Sequence, residues 1–94
     1  MPPSELDALR AAMDVLNRRL VDVLHERARL CRRIGACKKA NGDAAADPAR
    51  EQQMLAALLG QPPAEGFAPA ELEPILRAVF AASRAVVART VADG

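Results

Sequence analysis

Along the first forty residues, apolar side chains recur at helical intervals: Leu6, Leu9, Met13, Leu16, Leu20, Leu24, Cys31 and Ile34. At about 100° per residue they fall in one stripe. Ser4 followed by Asp7 is a weak capping box at the start, and Asn41, Gly42 and Asp43 supply an end. Gly35 is the first glycine inside the pattern, and it costs helix only about 1 kcal/mol. One helix is therefore expected from about residue 4 to about residue 40. A loop through Ala44, Ala45 and Ala46 leads to Asp47-Pro48, an N-cap residue followed by Pro at N1. That pair opens a second helix, to about residue 59. Gly60, Pro62, Pro63 and Gly66 form a linker. A third helix is expected over about 69–92, with Leu72, Ile75, Leu76, Val79, Ser83, Val86 and Thr90 on one side. No strand candidate or internal repeat interrupts this series, so the fold class is all-α, with three helices in a single domain over 1–94.

The length of the first helix has a consequence. Some 35 residues span about 50 Å, whereas a compact domain of this size has a radius of gyration of about 12 Å. One end of the helix must stand clear of its own chain with its apolar stripe uncovered. A symmetric dimer of intertwined long helices solves this economically. The alternative is a break at Gly35, giving a monomeric bundle.

Composition narrows the function classes. The chain has two aromatic residues, Phe67 and Phe80, which argues against a base-stacking nucleic-acid platform. A net charge of +1 gives no bulk field towards DNA or a membrane. No apolar run is long enough to span a membrane, and no basic segment precedes an apolar one at the N-terminus. A cytoplasmic location is the expectation, as is the absence of a fused regulatory or catalytic domain. Cys31 and Cys37, nearly two turns apart on one helix, are expected to be free thiols. His25, the one histidine, is expected to face solvent, and no Cys/His pattern suggests a metal.

Two cations interrupt the stripe of the first helix. Relative to Arg27, Ile34 falls at about −20°, Lys38 at about +20° and Cys31 at about +40°, so periodicity assigns both cations to the interior. Buried cations are costly unless paired. Arg27 and Lys38 are separated by about 16 Å along the axis and could converge on something between them. Arg10 lies about 25 Å from Arg27 along the same axis, and reaches such a site only from the partner of an antiparallel dimer. Each residue also has a plainer reading. Arg27 could snorkel and Lys38 could complement the dipole of the last turn. Asp47 could serve only as a cap, Arg50 pair with a surface acid, Glu51 complement the second helix dipole, and Ser83 bond back to a carbonyl one turn earlier. Arg18, Arg19, Arg29, Arg32, Arg33 and Lys39 read as surface charges.

Taken together, Leu9-Arg10, Glu26-Arg27, Gly35-Ala36-Cys37-Lys38 and Asp47-Pro48-Ala49-Arg50-Glu51, followed by a helix carrying Ser83, resemble the all-helical chorismate mutases. The resemblance covers about residues 5 to 90 and is free of gaps through Glu51. It implies a homodimer whose three helices per chain intertwine around two sites. Arg10 would enter the partner's site and bind one substrate carboxylate; Arg27 would bind the other. Lys38 would donate to the ether oxygen of the breaking bond. Asp47 would help hold the ring hydroxyl or its loop, Arg50 would sit beside it, Glu51 would accept from the ring hydroxyl, and Ser83 would contact the ring carboxylate. The departure is Val87, which occupies the place of a glutamine that shares the ether oxygen with the lysine. Arg84 and Arg89 fall on other parts of the third helix and replace nothing there.

The implied reaction is the Claisen rearrangement of chorismate to prephenate, which uses no cofactor, metal, nucleophile or proton transfer. The implied partners are a second copy of the chain and a small dicarboxylate, with no nucleic acid and no membrane. Isochorismate pyruvate-lyases and amino-chorismate mutases share the same pattern. A non-catalytic helical dimer is the alternative of another class.

Overall fold

The computed structural model describes residues 2, 4–60 and 63–93; Pro62 of the expected linker lies outside them. It consists of three helices, α1 over Glu5–Asn41, α2 over Pro48–Leu59 and α3 over Pro69–Ala92.

The ends of α1 are set by local chemistry. Ser4 Oγ accepts from the Asp7 N–H at 3.1 Å, and Asp7 Oδ2 accepts from the Ser4 N–H at 3.4 Å, so the capping box is closed in both directions. Glu5 and Asp7 in the first turn and Lys38 and Lys39 in the last complement the dipole. At the other end Gly42 takes φ 74°, and its N–H and that of Asp43 return to the carbonyls of Lys39 and Lys38. This left-handed terminus is where glycine avoids the penalty of a Cβ. In α2, Asp47 Oδ1 accepts from the Arg50 N–H at 3.1 Å, with Pro48 at the first helical position. The α3 start has no side-chain cap at Ala68; Glu71 instead accepts from the Ala68 N–H at 2.9 Å.

The helix α1 runs unbroken through Gly35, which overturns the alternative of a break there. Gly35 has a different use. A Cβ at this position would lie 2.7 Å from Thr90 Cβ and 3.2 Å from the Val87 carbonyl oxygen. The glycine lets α3 approach α1 closely.

The α3 helix packs along the C-terminal half of α1, and α2 packs on α3. The core sits where the three meet, at Cys31, Leu55, Phe80 and Val87. On the expected side of α3, Leu72, Leu76, Val79, Ser83, Val86 and Thr90 are half-buried. Ile75 is exposed, while Phe80 and Val87 are the buried positions, because the face against α1 and α2 centres on the single large ring of the helix.

The N-terminal half of α1 has no such cover. Leu6, Leu9, Met13, Leu16 and Leu20 are each 51–59% exposed. The chain measures 61 × 28 × 14 Å with a radius of gyration of 17.5 Å, against about 12 Å for a compact chain of this length. Of the eight stripe residues, Cys31 alone is buried in the single chain. Both cysteines are free thiols, Cys31 buried and Cys37 exposed, and His25 is exposed. Among the described residues, no helix is long and apolar enough to cross a membrane.

Candidate active site

A cavity of about 480 Å³ opens between the C-terminal half of α1, the 42–47 loop, the first turns of α2 and the middle of α3. Arg27, Lys38, Asp47, Arg50, Glu51, Ser83 and Val87 all line it. Cys31 and Ile34 share its α1 wall, as the helical register requires.

Arg27 is the most constrained of these side chains. Its Nη1 donates to Ser83 Oγ from across the α1–α3 contact. Ser83 in turn donates to the Val79 carbonyl at 2.7 Å, so its hydroxyl serves both the plainer role and the cross-helix one. The guanidinium carbon stands 5.2 Å from the Phe80 ring centroid, a cation–π distance. Cys31 Sγ and Met54 Sδ each lie 3.9 Å from a guanidinium nitrogen. All three helices thus fix one cation, and ordering it costs nothing further when an anion arrives.

Lys38 is half-buried and its Nζ donates to the Ala45 carbonyl at 2.8 Å, which leaves the ammonium two further donors. Asp47 caps α2 through one carboxylate oxygen while lining the cavity. Arg50 is exposed, with its guanidinium unpaired among the described residues. Glu51 is held by Arg84, whose Nη1 lies 2.8 Å from both carboxylate oxygens. Val87 is buried and offers the cavity only methyl groups. With Arg27, Lys38, Arg50 and Arg84 facing Asp47 and Glu51, the wall carries an excess of two positive charges.

The chorismate mutase type II family matches residues 9–88 of the chain. A chorismate mutase from Thermus thermophilus (form I) has a similar structure, with a TM-score of 0.81 and 34% sequence identity. The similarity covers 85% of this chain and 99% of that one. The chain belongs to the type II chorismate mutases. No curated protein sequence is similar enough to count as a match.

Arg10 lies outside the cavity of its own chain; it is exposed, with Asp7 at 4.0 Å as its ion-pair partner. Arg84, expected on another part of α3, is corrected: it lines the cavity beside Ser83 and Val87. The signal is present in the chain. Measured from Phe80, Ser83 falls at about −60°, Val87 at about −20° and Arg84 at about +40°, one sector. Taking the aliphatic stripe instead of the aromatic ring as the centre of α3 hides it. Phe80 and Met54, which steady Arg27, escape sequence reasoning for a related cause: neither bears a charge, and their role exists only where helices cross.

Proposed function

We propose that this chorismate mutase binds the chorismate dianion in the 480 Å³ cavity and rearranges it to prephenate within a homodimer. The carrying observation is the convergence of Arg27, Lys38 and Glu51, from two consecutive helices, on one cavity with two excess positive charges. Arg27, immobilised by Ser83 and Phe80, presents its remaining donors to one carboxylate, and planar guanidinium suits that partner. Arg10 of a second chain binds the other carboxylate. Lys38 donates to the ether oxygen as the C–O bond breaks and the new C–C bond forms. A donor placed where charge develops in the transition state is worth about 3 kcal/mol. Glu51 accepts from the ring hydroxyl, Asp47 and Arg50 hold the rim around it, and Ser83 contacts the ring carboxylate by turning its one hydroxyl proton from the Val79 carbonyl to the ligand. Holding the enolpyruvyl group over the ring supplies the rest of the acceleration.

The homodimer is supported by the uncovered half of α1. Leu6, Leu9, Met13, Leu16 and Leu20 form a continuous apolar face, and covering such side chains yields about 1 kcal/mol or more apiece. The test is turnover of chorismate, with isochorismate as the parallel substrate. Prephenate formation is expected, and its loss by about a hundredfold or more in Lys38→Ala. Release of pyruvate from isochorismate without turnover of chorismate, or an unaffected Lys38→Ala, refutes the reading.

A further inference from the structure

We infer that Arg84 is a positioning residue of this site, acting through Glu51; the inference rests on the reading of the cavity as the chorismate site. The attachment of α2 is one-sided. The backbone of this helix approaches α3 and not α1; Leu55 is its one buried residue, and Met54 alone reaches over to Arg27 on α1. Its first turn, which carries Arg50 and Glu51 into the cavity, is tied across to α3 by the Glu51–Arg84 ion pair, at 2.8 Å to each oxygen. The same two side chains also line a smaller neighbouring cavity of about 280 Å³ with Pro48, Gln52, Arg77 and Phe80. The pair is therefore the partition between the two spaces, and its geometry sets which way the carboxylate faces.

Charge points the same way. A cavity that receives a dianion is poorly served by an unpaired carboxylate in its wall. Arg84 neutralises Glu51 in place, and without it the excess positive charge of the wall falls from two to one. The pair is half-open to water, 53% for Arg84 and 25% for Glu51, so its share of folding stability is small. Geometry at the site is less forgiving. A displacement of about 1 Å in a positioned group can cost up to a hundredfold in rate.

The experiment is a double-mutant cycle on the full chain, with Arg84→Met, Glu51→Gln and the double variant, and with Arg84→Lys and Arg89→Met alongside. Arg89 is exposed and outside the cavity wall, and Arg89→Met is expected to match wild type. Arg84→Met is expected to lower kcat/KM roughly ten- to a hundredfold, while its thermal midpoint moves by no more than a few degrees. Arg84→Lys is expected to restore most of the loss. In the Glu51→Gln background, Arg84→Met is expected to change kcat/KM by less than about twofold, since there is no carboxylate left to position. An Arg84→Met enzyme as active as wild type overturns the inference, and so does an equal loss in both backgrounds, which would mean an independent electrostatic effect. Absence of wild-type turnover overturns the function proposed for the cavity and the role of Arg84 with it; the other outcomes leave that function standing.

Discussion

Pairing two inactive variants tests the shared site directly. Arg10 and Arg27 lie on one continuous helix, about 25 Å apart along its axis, so they cannot meet on one anion within a chain. Arg10 is exposed and its ion pair with Asp7 is long, so Arg10→Ala costs the fold at most about 1 kcal/mol. Arg27→Met keeps the apolar stem against Phe80 but removes the guanidinium and its bond to Ser83. Loss of either carboxylate contact costs about 2–4 kcal/mol, or roughly 30- to 1,000-fold in kcat/KM. When the two variants are unfolded together and refolded at equal concentration, about half of the dimers are mixed. In a mixed dimer one site has lost both arginines and the other has both. The mixture should therefore recover about a quarter of wild-type turnover, well above either variant alone. Turnover is followed by the disappearance of chorismate, and the oligomeric state by sedimentation. Activity equal to the mean of the two variants, or a wild-type chain that sediments as a monomer, refutes the shared site.

Two further substitutions probe the cavity wall and the helix contact behind it. Val87→Gln restores a donor where the wall offers only methyl groups, and kcat is expected to rise about tenfold or more with KM little changed; an unchanged or lower kcat in a folded variant counts against the missing-donor account. Gly35→Ala places a methyl 2.7 Å from Thr90 Cβ; overpacking of about 1–3 kcal/mol exceeds the helix-propensity gain of about 1 kcal/mol. Its thermal midpoint should fall by several degrees, and kcat/KM with it as α3 shifts relative to Arg27; a midpoint equal to or above wild type would show that the contact yields freely.

The all-α fold and the long first helix were legible because their determinants are local. Ser4, Asp7, Gly42, Asp47 and Pro48 act within a turn of where they stand, and the stripe on α1 repeats often enough to override one glycine. The register of α1 also placed Arg27, Lys38, Cys31 and Ile34 on a single wall, since they share one rigid element. The pairing of Arg84 with Glu51 depends on how α2 crosses α3, which no periodicity within either helix encodes. Nor does Gly35 announce its purpose in sequence: a helix-weakening residue and a close-packing residue look alike until the neighbouring helix is in place.

The one-sided attachment of α2 bears on how the protein breathes. A short helix with Leu55 as its sole buried anchor, set against α3 but not α1, belongs to the part of the structure that opens first. Its amides should exchange with solvent well before those of the α1–α3 contact. A bound dianion reaching from Arg27 and Lys38 to Arg50 and Glu51 would strengthen the link between α1 and α2, which the Arg27–Met54 contact makes by side chains alone. Occupancy at a hundred times Kd adds about 2.7 kcal/mol to the closed form, most visible as slowed exchange in α2. In this sense the ligand completes the third side of the domain, and the empty protein is the looser of its two states.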